Sequence, residues 1–362
     1  SVYASEVRIS YNPSNNLILS GKTCSSLITQ HQAICNWQKL IDPSFVIPPI
    51  PETLCRRISD SNYSMTITSC LPSFVKANQH KKLYRSGANC WGTAMSFKKI
   101  STRPRFMWSN EISYWLNSPV CRKLNPGEEK KTGDLLNMYG PEYVFNKDEP
   151  NNKSNRFWEA RFPGRFTPAA VEEGYTGYHH FLHTETFVTS DLTFGKDSPS
   201  KDDKFEFHEM GEVYGRPDAV ECQENQSMTP YLRENQNPPR DIRNSKCSYF
   251  SLAYRCEAFP DYFARQTLSS SDQAILATVK SLQATQDKLF QLMTVLKHTL
   301  PRVEINVMLK QADHIAEKAL EELSQQSMDQ NHEMLLTLKY FTATGIRKSL
   351  ELAALILPTE DL

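Results

Sequence analysis

The distribution of cysteine is the feature that most constrains the fold of this chain. All nine cysteines lie between Cys24 and Cys256 of a chain of 362 residues, and none follows. Dispersed cysteines are typical of proteins that fold in an oxidising compartment. The odd number leaves at least one thiol unpaired in a monomer, and no pair has the Cys-x-x-Cys spacing of a zinc or redox site. The sequence therefore predicts a disulfide-tied part followed by a part without disulfides.

The pairing of these cysteines stays open, because eight of them allow many connectivities. Cys24 with Cys35 and Cys55 with Cys70 are plausible near-neighbour pairs. Cys90, at the start of a predicted helix, is the natural thiol to leave free. The alternative is a cytosolic protein with nine ordinary thiols.

The segment without cysteine, residues 266–362, is predicted to be helical. Ser269 and Asp272 are helix-capping candidates, and apolar residues then recur at helical spacing as far as Leu357. Pro301 separates the first helix from the second. This pattern indicates a helical hairpin, a three-helix bundle or a coiled-coil-like arm. Two interpretations remain, a targeting or self-association module through residues 268–357 and a structural cap.

The part that contains the cysteines divides into two predicted units. Residues 1–75 alternate in character around turn sequences and include one short helical stretch, which predicts a small β-rich module tied by disulfides. Residues 76–265 contain further helix and strand patterns and form the candidate catalytic domain. The whole chain is therefore predicted to be of the α+β class.

Charge and hydropathy exclude some functional classes. The chain carries 41 basic and 41 acidic side chains, so its overall charge gives no support for nucleic-acid binding. No apolar run approaches the roughly 18 residues that span a bilayer. The sequence begins at Ser1 without methionine, which is compatible with removal of a signal peptide. Together with the dispersed cysteines, this start predicts a secreted or periplasmic protein.

Cys90 is the candidate nucleophile. It lies in Gly87–Phe97, which reads as a tight loop running into a helix. The N-terminus of a helix stabilises a thiolate, and its unpaired N–H groups can bind an oxyanion. The alternative for such a cysteine is one half of a structural disulfide, or a buried thiol.

His183 and Asp197 are the candidate partners of Cys90. His179–Thr189 reads as a strand, Asp191 marks a turn, and Leu192–Asp197 reads as the return strand. A carboxylate at the end of a neighbouring strand can orient an imidazole. A competing interpretation is a metal site on His179 and His183, which share a face of a regular strand, with His208 or Glu209 as a third ligand.

The order of these residues resembles that of papain-like cysteine hydrolases. More narrowly, Asn89-Cys90-Trp91, Gly133-Asp134-Leu135 and the run from His183 to Val188 resemble motifs of compact bacterial cell-wall cysteine peptidases. Phe194-Gly195-Lys196-Asp197 is similar to a motif of secreted cysteine-histidine proteins of predatory bacteria. The resemblance covers residues 80–215 and implies a papain-like core of one helix on an antiparallel sheet.

The resemblance also implies roles for individual residues. Cys90 attacks a carbonyl, His183 transfers the proton, and Asp197 holds the imidazole tautomer. The N–H groups of Cys90 and Trp91, with the Asn89 side chain, bind the oxyanion. The implied substrate is an amide bond in a peptide, with peptidoglycan stem peptides as the first expectation, and neither a cofactor nor a metal is required.

The sequence departs from the family pattern in three places. Asp197 stands where asparagine or histidine is expected, Thr184 replaces a small apolar residue, and residues 145–176 form a long insertion that reads as a lid or a solvated loop. The competing functional class is a non-catalytic secreted interaction protein that binds a partner through its C-terminal helices.

Overall fold

The structure is a computed structural model of the full chain. It describes residues 7–14, 16–67, 69–71, 88–101, 104–125, 127–141, 179–189, 192–196, 204–209, 250–290, 301–324 and 328–354. The fold combines helices with two antiparallel sheets, which confirms the α+β class.

The first sheet has four strands in the order β1-β2-β4-β3. Its strands are β1 (Val7–Tyr11), β2 (Leu17–Gly21), β3 (Arg56–Ser59) and β4 (Asn62–Ile67), and helix α1 (Cys24–Ile41) follows β2. Thr23 caps α1 by accepting the Ser26 N–H. The described residues of this part thus form a sheet and one long helix, while the division near residue 75 stays a prediction.

The disulfides of this part join α1 to the segments that flank β3 and β4. Cys24 pairs with Cys55 and Cys35 with Cys70. The near-neighbour pairing expected from the sequence is therefore wrong. Cys24 and Cys35 lie on the same helix, and the helix presents each of them to a different later segment.

The second sheet has six strands in the order β5-β10-β6-β7-β8-β9, and every neighbouring pair is antiparallel. The strands are β5 (Cys121–Lys123), β6 (Leu135–Pro141), β7 (His179–Phe187), β8 (Leu192–Lys196), β9 (Phe205–Glu209) and β10 (Phe250–Cys256). The β7–β8 hairpin was predicted. Strand β10 was not, because the polar, cysteine-containing residues 222–256 read as a loop.

Cys256, which the sequence placed in that loop, ends β10 and pairs with Cys121 of β5. The bond joins residues that are 135 positions apart. Cys222 and Cys247 lie outside the described residues. The three disulfides within the described residues fit the oxidising compartment expected from cysteine usage.

The remaining helices are α2 (Cys90–Ser96), α3 (Ser109–Leu116), α4 (Phe259–Ala264), α5 (Ser270–Phe290), α6 (Arg302–Leu323) and α7 (Gln330–Ala354). Pro301 occupies the position before α6, as its missing N–H favours. None of the described helices is long and apolar enough to cross a membrane.

Helices α5 to α7 pack on the rest of the molecule and do not project as an arm. One core cluster contains Met95 of α2, Trp115 of α3, Leu252 of β10 and Phe341 of α7. The cap interpretation of the C-terminal segment is the one that this packing favours. A second cluster joins the N-terminal sheet to β8 and β9. The first cluster therefore spans the domain boundary predicted near residue 265, and the second spans the one predicted near residue 75. Both boundaries stay predictions.

A buried ion pair stands at the contact between α3 and α7. The side chains of Arg105 and Glu111 are both 0% exposed. Both terminal guanidinium nitrogens of Arg105 donate to the Glu111 carboxylate, and the bond from Nη1 to Oε2 measures 2.9 Å. The indole N–H of Trp115 donates to the same carboxylate. Gly345 of α7 lies against the Arg105 side chain, where an added Cβ would come within 3.0 Å of it. Close approach of α7 therefore depends on this glycine.

A second polar contact ties the starts of α5 and α7. Asp272 accepts from the backbone N–H and the hydroxyl of Ser269, in a reciprocal cap. Nδ1 of His332 lies 2.7 Å from the other Asp272 oxygen. Burial raises the pKa of Asp272, but the hydrogen bonds from Ser269 and His332 outweigh it and hold the pKa below its usual range.

Candidate active site

Cys90 is the first residue of α2, as the sequence predicted. Asn89 caps this helix by accepting the N–H of Gly92 at 3.1 Å and the N–H of Met107 at 3.1 Å. Its Nδ2 donates to the carbonyl of Met107 at 2.8 Å. The Asn89 amide therefore fixes the start of the helix against the next segment, and its role as an oxyanion donor stays a prediction.

Cys90 is buried, and it is the free cysteine among the described residues. This confirms that the thiol at the helix start is left out of the disulfides. Since α2 has only 7 residues, the field of its backbone is weak, and other groups must supply the charge for a reactive thiol.

His183 lies where β7 changes its register against β6. His183 is opposite Met138, and Phe181 is opposite the next residue, Tyr139. Leu182 is therefore an extra residue, which is a β-bulge. Bulges redirect the side chains beside them, and this one directly precedes His183 on the strand.

The imidazole of His183 joins Cys90 to a buried carboxylate. It forms a hydrogen bond with the Cys90 side chain. Its Nε2 lies 2.9 Å from Oε1 of Glu185, whose side chain is 0% exposed. Residues two apart on a strand share a face, so the adjacency of His183 and Glu185 follows from the local sequence.

Glu185 has partners on two further strands. The hydroxyl of Thr193 on β8 donates a short hydrogen bond to its Oε2. Nδ1 of His208 on β9 lies 2.7 Å from its Oε1. Thr193 and His208 are direct neighbours in the register of β8 and β9. The carboxylate thus connects three adjacent strands beneath Cys90 and His183.

Gly195 provides the space that Glu185 occupies. A Cβ at this position would lie 2.8 Å from Cγ and 3.0 Å from Cδ and Oε1 of Glu185. Any other residue would push the carboxylate away from its present position. The glycine in the Phe194-Gly195-Lys196 stretch is therefore part of the site, although it has no reactive group.

Hydrogen bonding sets the charge of both central groups. Burial lowers the pKa of His183, but hydrogen bonds to Cys90 and Glu185 outweigh it and raise the pKa to about 10. Burial raises the pKa of Glu185, but hydrogen bonds from His183 and His208 outweigh it and lower the pKa well below its usual range. At neutral pH the arrangement therefore holds an imidazolium between a carboxylate and the Cys90 sulfur.

The structure brings together two of the three predicted catalytic residues, Cys90 and His183. Asp197 directly follows β8 in the sequence and lies outside the described residues, so its role stays a prediction. The carboxylate that contacts the imidazole is that of Glu185, which the sequence interpretation missed. The signal was available, because His183-Thr184-Glu185 places a carboxylate two residues after the histidine.

Trp91 and the Gly133-Asp134 motif, which the sequence analysis also singled out, have structural contacts. Trp91 is partly buried and packs on the core cluster that contains α7, while its backbone N–H stays a predicted oxyanion donor. Asp134 forms an ion pair with Arg255 of β10 at 2.7 Å, and Gly133 takes a φ of +88°. The Gly133-Asp134 motif is therefore a structural turn. The insertion at 145–176 lies outside the described residues.

Within the described part of the chain, three buried side chains that could ligate a metal lie close together, His31, Cys35 and Cys70. Two of these sulfurs form a disulfide, so they are not available as thiolates. In the candidate active site, His183 is engaged with Cys90 and Glu185, and a protonated imidazole does not bind metal.

Comparison with models of known protein families, with curated proteins and with solved structures finds no significant match.

Proposed function

We propose that this protein is a cysteine hydrolase that cleaves an amide bond through Cys90, His183 and Glu185. The observation that carries the proposal is the continuous contact from a free, buried thiol through an imidazole to a fully buried carboxylate. A nucleophile, a base and a group that orients the base are the parts that covalent catalysis needs. Glu185 takes the orienting role that the sequence interpretation gave to Asp197.

The charges support a thiolate–imidazolium pair as the resting state. With both ring nitrogens of His183 protonated, Nε2–H donates to Glu185, and we assign Nδ1–H to the Cys90 sulfur. The cation beside the sulfur favours the thiolate, which is the nucleophilic form. The carboxylate keeps the ring in one orientation and stabilises its positive charge.

The reaction then follows in two balanced steps. The Cys90 sulfur bonds to the amide carbon, the carbon–nitrogen bond breaks, and His183 gives its proton to the leaving amine. Water next attacks the thioester while His183 takes one of its protons. The carbon–sulfur bond breaks, the acid product leaves, and the thiolate–imidazolium pair is restored. The N–H groups of Cys90 and Trp91 are the proposed oxyanion donors.

The proposed substrate is a peptide, with peptidoglycan stem peptides as the first class to examine. The motifs that resemble cell-wall cysteine peptidases support this choice, and the three disulfides fit the secreted or periplasmic location in which such a substrate is found.

The nucleophile is tested by iodoacetamide labelling at a series of pH values, mapped to individual cysteines by mass spectrometry. We expect selective labelling of Cys90 at neutral pH in the wild type. His183→Ala should slow it by about 30-fold at pH 7, because the thiolate loses its cation and an ordinary thiol, with a pKa of about 8.5, is only about 3% thiolate there. His332→Ala is the matched control, because it removes another carboxylate-bound imidazole, in the C-terminal helices.

The substrate class is tested with synthetic stem peptides, using Cys90→Ser as the inactive control. Selective labelling without cleavage of these peptides would retain the nucleophile and reject the substrate class. If Cys90 is unreactive, or its labelling rate does not depend on His183, the hydrolase proposal fails. The alternative, a non-catalytic interaction protein, would then be pursued through the C-terminal helices.

A further inference from the structure

Glu185 is shared between two histidines, and the proposed reaction uses only one of them. Oε1 of Glu185 lies 2.9 Å from Nε2 of His183 and 2.7 Å from Nδ1 of His208. Both rings are therefore in hydrogen-bond contact with a single oxygen. His208 reaches it from the edge strand β9, across Thr193 and over the space left by Gly195.

The charge balance of the cluster depends on His208. The resting state proposed above contains two anions, the Cys90 thiolate and the Glu185 carboxylate, and one cation on His183. Cys90 and Glu185 are 4% and 0% exposed, and an uncompensated buried charge is costly. A proton on His208 brings the net charge of the four groups to zero.

A neighbouring carboxylate favours the protonated form of His208, and the partial exposure of the ring allows it to exchange protons with solvent. Its Nε2 lies 3.6 Å from the carboxylate of Glu206, and its side chain is 20% exposed, against 12% for His183. Lys204 stands 3.9 Å from the same Glu206 carboxylate. From β1, Tyr11 accepts the N–H of Phe207, and because burial raises its pKa it stays neutral. The group that faces His208 from β8, Thr193, does not titrate.

We propose that His208 is a positioning residue whose protonated ring, acting through Glu185, keeps the Cys90–His183 pair reactive at acid pH. This inference rests on the proposed function. Its chemical content is specific: Nδ1–H of His208 donates to Glu185, and when the ring is protonated it also adds the second cation that the two buried anions need. The proposed hydrolysis would then proceed in a mildly acidic environment.

Two variants separate the hydrogen bond from the charge. In His208→Asn, the side-chain NH₂ can take the place of Nδ1–H, but it carries no charge and does not titrate. In His208→Leu, both are lost. His332→Asn is the matched control, since that histidine also contacts a carboxylate through Nδ1 at 2.7 Å. The measurement is the rate of Cys90 alkylation from pH 4 to pH 9 on the folded full chain.

We expect His208→Asn to keep the wild-type rate at neutral pH while the acid limb of its profile moves up by at least about half a pH unit. His208→Leu should also lose about tenfold in rate at neutral pH, because Glu185 keeps its contacts with Thr193 and His183 but loses the hydrogen bond that fixes it from β9. His332→Asn should match the wild type. An acid limb in His208→Asn that coincides with the wild type would overturn the inference, while the loss of rate in His183→Ala would still support the proposed function.

Discussion

Gly195→Ala tests the placement of Glu185 without touching a reactive group. The new Cβ would lie 2.8 Å from Cγ of Glu185, whereas ordinary contacts begin at 3.4 Å. The carboxylate must therefore retreat by at least about 0.6 Å. The hydrogen bonds at 2.9 Å to His183 and 2.7 Å to His208 would lengthen toward the limit of a useful hydrogen bond.

Two consequences follow for this variant. Overpacking against a side chain held by three hydrogen bonds should cost about 1–3 kcal/mol in the free energy of unfolding, measured in urea. Displacement of the carboxylate should loosen the His183 ring and slow Cys90 alkylation at pH 7 by about tenfold, since misplacement by about 1 Å costs roughly a hundredfold. The φ of Gly195 lies outside the left-handed region, so backbone strain does not add to the effect of the alanine substitution.

The control for this experiment is Gly127→Ala. Gly127 has a φ of +74° and open space around its Cα, so alanine there should cost about 1–2 kcal/mol through backbone strain alone. Cys90 reactivity should remain at the wild-type level. If a folded Gly195→Ala protein alkylates Cys90 with the wild-type rate and pH profile, the role assigned to Glu185 is wrong.

Three further predictions concern stability, each measured as urea unfolding. Arg105→Met leaves Glu111 buried without its ionic partner and should cost about 3–5 kcal/mol; a loss below about 1 kcal/mol would contradict this. Replacing Cys121 and Cys256 together by serine opens a loop closed over 135 residues and should cost about 2–5 kcal/mol, whereas an unchanged midpoint would show that the bond contributes nothing. The pKa of Asp272 in the folded protein lies below its unfolded value of 3.8, so its contribution to the free energy of unfolding is present above pH 3.8 and is lost as the pH falls through the folded pKa. Asp272→Asn should flatten the dependence of unfolding free energy on pH in this range. Equal slopes for the wild type and the variant would refute the assignment.

The elements with local determinants were predictable from the sequence. Helix α5 begins at a Ser269–Asp272 cap, α6 follows Pro301, and the β7–β8 hairpin follows from two alternating runs around a turn. In each case the signal lies within a few residues, because caps, prolines and turns act on the adjacent backbone. The position of Cys90 at the start of α2 was predictable for the same reason.

Partners that are distant in the sequence were decided by the tertiary structure. Cys24 and Cys35 share one helix, and only the packing of that helix determined that their partners are Cys55 and Cys70. Strand β10 was missed because its polar flanks suggest a loop, while its pairing with β5 and β6 depends on residues more than a hundred positions away. Such contacts depend on loop closure and burial, which no local pattern encodes.

The candidate site shows the same division within a few residues. The sequence by itself determined a cysteine at a helix start and a histidine with a carboxylate two residues later on one strand. Only the tertiary structure decided that this carboxylate, Glu185, is fully buried, that His208 from β9 shares it, and that Gly195 leaves room for it. The physical reason is that strand register and close packing bring these groups together, and a buried charge is stable only where packing also supplies its partners.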